Sequence, residues 1–162
     1  MPTKKVIAKK IPLTKNKKCI IAVSGGFDPI HVGHIRMIAE AKELAGPGGE
    51  LVVIINNDHW LRAKKGFVFM PERERKEVVN SIKGVDRVVM TAHKKTSKDM
   101  SVCAELRKIK PDIFANGGDR TKKNIPELAL EKEFNMKMVF GVGKGGKIQS
   151  SSWLVEKAKQ GK

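Results

Sequence analysis

The sequence predicts an α/β fold in which five parallel strands form one doubly wound sheet with helices on both faces. Three observations carry this expectation. Short apolar runs alternate along the chain with segments whose apolar residues recur at three- and four-residue spacing. One of these runs, Leu51-Val52-Val53-Ile54-Ile55, is apolar at every position, as in a strand covered on both faces. The segments between the runs are long enough for the helical crossovers that parallel strands require, and right-handed crossovers leave few topologies.

Taken in order, residues 19–26 (CIIAVSGG) read as a buried strand stopped by a glycine pair. Residues 33–46 read as a helix with Ile35, Ile38, Ala41 and Ala45 on its inner face and Gly46-Pro47 as its stop. Residues 50–58 form the second strand. Residues 58–71, DHWLRAKKGFVFMP, read as a long connection of the size of a lid. A helix at 72–84, a strand at 85–92 and a helix at 97–110 ended by Pro111 follow. Residues 112–118 (DIFANGG) form the fourth strand, 124–135 a helix, 136–142 the fifth strand and 150–160 a closing helix. The arrangement is Rossmann-like, and such sheets bind ligands beyond the carboxyl ends of their strands, where strand order reverses.

The formal net charge is +16 and is uneven: residues 1–18 hold seven lysines and no acidic residue. That stretch reads as a basic tail, with residues 19–162 as a single domain. It contains neither arginine nor aromatic residues, which favours a solvated tail over a nucleic-acid surface. No apolar run is long enough to span a bilayer, and the N-terminus shows no secretory pattern, so a cytoplasmic protein is expected. Cys19 and Cys103 lack metal-type spacing and read as buried free thiols.

Chemistry concentrates in SGGFDPIHVGHIRMI, residues 24–38, at the end of the first strand. Two of the four histidines, His31 and His34, lie there beside a helix N-terminus, whose unpaired amides and partial positive charge suit an anion. Imidazoles in that place can donate hydrogen bonds to charge that develops during phosphoryl or nucleotidyl transfer. A blander reading makes them loop and helix-cap residues. A zinc site would have only His31, His34 and Asp28 at hand.

This stretch resembles the signature of the H-x-G-H nucleotidyltransferase superfamily. Three further segments match in order: INND with Asp58 followed by the AKKG loop, PDIFANGGDR at 111–120, and KIQSSSWLVEK near the end. The resemblance covers residues 19–159 and is nearest to the glycerol-3-phosphate cytidylyltransferase and heptose-1-phosphate adenylyltransferase types. It implies attack of a substrate phosphate on the α-phosphate of a nucleoside triphosphate, with release of pyrophosphate. The expected acceptor is a sugar or polyol phosphate. ATP is favoured over CTP, because the GGD segment and the KKG loop look more like the adenylyltransferases.

The resemblance assigns His31 and His34 to the α-phosphate, with Lys64 or Lys65 bridging the triphosphate and the acceptor phosphate. Gly25, Gly26 and Phe27 would floor the nucleotide site, Asp28 would brace that loop, and Gly33 would admit a base or ribose. Gly117, Gly118 and Asp119 would take the ribose or base. Ser150, Ser151 and Ser152 would cap the last helix and hold the β- and γ-phosphates. Arg75 and Asp58 would lie near the acceptor. The segment around 144–153 departs from the family pattern, with Lys144 and Lys147 where relatives carry an arginine, Gln149 where an apolar residue is usual and Trp153 where a polar one is usual. Trp60 and Trp153 read as packing or lid residues in preference to base-stacking platforms. Mg²⁺ is expected with the triphosphate rather than in a protein cage, and a homodimer is implied by the resemblance alone.

Overall fold

A computed structural model describes residues 17–118, 120–143 and 149–161. The lysine-rich residues 1–16, Asp119, Lys144 and Lys147 lie outside the described residues. Five strands form one parallel sheet: β1 (Ile20–Gly25), β2 (Glu50–Ile55), β3 (Arg87–Met90), β4 (Ile113–Gly117) and β5 (Lys137–Val142). Their order is β3-β2-β1-β4-β5. The helices are α1 (Val32–Ala45), α2 (Asp58–Lys65), α3 (Glu72–Asn80), α4 (Cys103–Ile109), α5 (Leu130–Phe134) and α6 (Ser151–Gln160).

Strand alternation divides the interior into two cores. Ile21 and Val23 of β1, Leu51, Val53 and Ile55 of β2 and Ala115 of β4 pack with Ile38 and Ala41 of α1 and Val79 of α3. Ala22, Ile54, Phe114 and Met138 point the other way, against Leu106 of α4 and Leu130 of α5. The inner strands must therefore be apolar on both faces, and β2 is buried from Leu51 through Ile55. β1 sits at the centre, with Ile21 opposite both Leu51 of β2 and Ile113 of β4. Strand order reverses between β1 and β4, and a crevice opens there at the carboxyl ends.

Four local expectations change. On α1 the inner face carries Met37, Ile38, Ala41 and Ala45, whereas Ile35 is 41 % exposed. The segment expected as a long connection begins instead with α2. Asn57 caps that helix by accepting from the Trp60 amide (3.0 Å), and Gly66 ends it in the left-handed region at φ 81°. The helix at 97–110 shrinks to α4, which ends at left-handed Lys110 just before Pro111. Residues 122–134 form two 3₁₀ turns followed by the short α5, with Pro126 opening the second turn. Both cysteines are buried and unbridged, as expected. Among the described residues no helix is long and apolar enough to cross a membrane.

Asn57 also donates from Nδ2 to the His93 carbonyl (2.7 Å), so one buried side chain ties α2 to the segment after β3. Asn57→Ala removes the cap and orphans that carbonyl. A loss of about 1–3 kcal/mol is expected, read as a lower urea midpoint at unchanged slope.

Candidate active site

The crevice at the strand-order reversal holds a cavity of about 350 Å³. Its walls come from the ends of β1, β4 and β5 and from the first turns of α1 and α6. Neither first turn contains an acidic residue, so the partial positive charge of both helix N-termini is uncompensated there.

His31 and His34 are placed by helix capping. His31 is the N-cap of α1, and its Nδ1 accepts from the Gly33 amide (3.0 Å). His34, at the third helical position, accepts from the His31 amide through its own Nδ1 (3.2 Å). Together they form a reciprocal capping box in which imidazoles stand where a hydroxyl and a carboxylate are usual. The rings stack with centroids 3.8 Å apart, and Phe27 supports His34 from behind at 4.8 Å.

The tautomer follows directly. An Nδ1 that accepts from an amide carries no proton, so in each neutral ring the proton sits on Nε2. Burial lowers the His31 pKa, helped by the Lys65 ammonium. Burial, then His31, then Lys65 push His34 down to about 3. Near neutral pH the pair therefore offers two uncharged Nε2–H donors. Lys65 supplies the adjacent positive charge, and burial lowers its own pKa, opposed by Asp28 and assisted by Arg75.

Of the two candidate lysines, Lys65 lines the histidine cavity and Lys64 does not. Lys64 faces two neighbouring cavities, one of which it shares with Lys65. Gly25, Gly117 and Gly118 line the histidine cavity, as do Ser150, Ser151 and Ser152. Ser150 caps α6 by accepting from the Trp153 amide (3.1 Å), and Ser151 donates to the Pro29 carbonyl (2.7 Å), locking α6 to the loop after β1.

Several expected contacts resolve differently. Gly26 and Phe27 lie behind the cavity: a Cβ on Gly26 would sit 3.0 Å from Leu61 of α2, and Phe27 is buried against His34. Gly33 makes room for the His31 ring, 2.8 Å from where its Cβ would be, rather than for a base or ribose. Asp28 does act as a brace, but of the connection after α2 rather than its own loop. It accepts from the Phe69 (2.7 Å) and Met70 (2.6 Å) amides.

Arg75 is 1 % exposed and turned wholly toward protein, so it is not available to an acceptor. It donates to the carbonyls of Met70, Gly26 and Asn56 and to Asp58 Oδ1 (2.8 Å). Asp58 is thereby committed to an ion pair, and its amide donates to Glu72. One guanidinium thus joins the ends of β1 and β2, the N-terminus of α2 and the connection to α3. Asn116, Met37, Arg120 and Gln149 line the cavity without having been singled out for that role. Asn116 was within reach, since it directly precedes the Gly117-Gly118 pair at a strand end.

Known proteins resemble this chain in sequence and in fold. Residues 22–155 match the cytidylyltransferase-like family. A protein of Methanopyrus kandleri named FAD synthase is 35 % identical over 112 residues, covering 69 % of this chain and 69 % of its own. One from Thermococcus sibiricus with the same name is 36 % identical over 128 residues, covering 78 % and 79 %. A solved structure of a lipopolysaccharide core biosynthesis protein from Thermoplasma volcanium superposes with a TM-score of 0.60 at 26 % identity. That match covers 77 % of this chain and 97 % of the other.

Arg75→Met leaves three carbonyls, that of Asn56 in a buried bond, and Asp58 without their donor. A destabilisation of about 3–5 kcal/mol is expected, measured by urea denaturation. A loss below about 1 kcal/mol, the range of an exposed ion pair, contradicts the bracing role.

Proposed function

Since this chain belongs to the cytidylyltransferase-like family and is a nucleotidyltransferase, we propose that it transfers AMP from ATP to FMN, forming FAD and pyrophosphate. The observation that carries the donor half is the pair of neutral Nε2–H donors, flanked by Lys65 and two helix N-termini, in one cavity. The acceptor half rests on the relatives, which are named FAD synthase. This corrects the expectation of a sugar or polyol phosphate: FAD is the adenylate of a flavin phosphate, and no such acceptor accounts for that name. ATP as donor agrees with it.

An oxygen of the FMN phosphate attacks the α-phosphorus of ATP. A new P–O bond forms as the bond to the β-phosphate oxygen breaks, and pyrophosphate leaves with the electron pair. Positioning and charge stabilisation do most of the work in such a transfer. His31 and His34 donate from Nε2 to the α-phosphate oxygens, where negative charge grows. Because both rings are already neutral and held by backbone amides, they need no reorganisation in the transition state. Lys65 neutralises charge between donor and acceptor phosphates, and the amides and hydroxyls at the N-terminus of α6 hold the leaving pyrophosphate.

Mg²⁺ is taken as part of the substrate, bound to triphosphate oxygens. Among the described residues the cavity lining includes no carboxylate, and no cluster of three or more metal-ligating side chains occurs. The described lining therefore offers an ion no carboxylate ligand, and the ion is read as carried by the triphosphate.

Purified protein supplied with ATP, Mg²⁺ and FMN is expected to release pyrophosphate and form FAD, and His34→Ala to lower kcat by about 10²–10³. As both imidazoles stay neutral, kcat/KM should show no inflection near pH 6.5. It should fall as pH rises through the lowered Lys65 pKa, because the ammonium is then lost. Lys65→Arg should move that basic limb upward, since a guanidinium stays charged. An inflection near 6.5 that disappears in His34→Ala contradicts the neutral-donor mechanism.

A further inference from the structure

Beside the histidine cavity lies a second one of about 580 Å³, within the size range of small-molecule sites. Three segments distant in sequence build it: α2, the 91–102 connection after β3, and residues 120–127 after β4. Arg120 lines both cavities, and Lys64 is the chain neighbour of Lys65, so the second space opens beside the transfer centre.

Its walls are tied to one another. The Trp60 indole Nε1–H donates to the Met100 carbonyl (2.8 Å), and the Asn57 amide group donates to that of His93 (2.7 Å). His93 Nε2 meets the Ser101 carbonyl at 3.0 Å. The Val102 amide then donates to buried Glu127 (3.0 Å), which joins the connection to the turn after β4. A space framed by four such links is organised before any ligand enters.

The lining has a defined chemistry. Trp60, Met100 and Pro126 contribute apolar faces, and Lys64, Lys98 and Arg120 contribute cations. The carboxylates present are engaged: Glu127 accepts from Val102, and Asp99 accepts from the Ser101 amide (2.9 Å). The cavity therefore offers planar apolar contact and hydrogen-bond donors. A polyol, whose hydroxyls need acceptors and donors alike, matches this poorly. A planar heteroaromatic ring with an edge of carbonyl oxygens and ring nitrogens matches it well, and cations beside aromatic surface strengthen the match.

We infer that this second cavity is the acceptor-ring subsite, in which Trp60 takes the face of the isoalloxazine and Lys98 its carbonyl edge, while the phosphate end reaches Lys65. The inference rests on the reading of FMN as acceptor. Trp60, expected from sequence as a packing or lid residue, becomes the stacking platform. Riboflavin, which has the ring without the phosphate, should bind here and block FMN without being adenylylated.

The test is a titration of FMN and of riboflavin into the full-length protein, followed by flavin fluorescence, with KM values for FMN and ATP measured in parallel. Wild type should quench both flavins. Trp60→Ala and Lys98→Glu should each raise the KM for FMN by about tenfold or more and leave the KM for ATP within about twofold. Trp60→Phe should retain most of the affinity. Lys98 is exposed, so its substitution reports on binding even where Trp60→Ala disturbs the fold. Wild-type binding that is indifferent to both Trp60→Ala and Lys98→Glu overturns the subsite and leaves the FAD-forming activity standing. A wild-type protein that neither binds nor adenylylates FMN overturns both.

Discussion

Two hydrogen bonds set the terms for the rest of the site: the Gly33 amide to His31 Nδ1, and the His31 amide to His34 Nδ1. A helix start leaves amides that need acceptors. Serine or aspartate at the cap satisfies them and has little left to offer. An imidazole satisfies them with one nitrogen and presents an N–H from the other, so capping leaves one edge of the ring free to donate into the cavity. This explains why a glycine must separate the histidines. The His31 ring lies over residue 33, and a Cβ there would overlap it. Burial and Lys65 then keep both rings uncharged, which makes them dipolar donors while the positive charge stays on lysine.

That arrangement depends on a frame built from one arginine and one aspartate. Arg75 and Asp28 are both buried, and each is matched by partners that the backbone supplies. Arg75 draws carbonyls from the ends of β1 and β2 toward the start of α2, and Asp28 holds the amides of Phe69 and Met70. Between these anchors α2 is held at both ends, and Lys65 arrives beside the histidines in its last turn. A buried charge pair adds little net stability, but removing one partner is costly. The network's contribution is to hold the geometry, and its loss would be felt at Lys65 before any ligand is present.

The strands were legible because each is an apolar run bounded by turn residues, and the order of alternation was enough to indicate a doubly wound sheet. Helix α2 was not read as a helix, because eight residues with Leu61 alone buried give almost no periodicity. Its signals were local instead, Asn57 as cap and Gly66 as stop. The histidine stretch pointed from sequence to the cavity at the strand-order reversal, which both its histidines line. Arg75 misled because periodicity cannot distinguish an arginine that faces a ligand from one that faces bare carbonyls; only the strand ends it meets decide that. Gly26 and Gly33 misled for a related reason, since side chains of the same protein occupy the space each leaves open. The second cavity could not be seen at all, as its walls meet only when three separate segments are folded together.

The most direct test is nitrogen-15 NMR of histidine-labelled protein at neutral pH, which distinguishes a protonated from an unprotonated ring nitrogen. At neutral pH, signals from His31 and His34 should both show a pyridine-type Nδ1 and a protonated Nε2, and those of His34 should stay unchanged as pH falls from 8 to about 5, below the ordinary histidine pKa. A proton on either Nδ1, or an imidazolium forming near pH 6.5 in both rings, contradicts the capping geometry and the neutral-donor chemistry built on it.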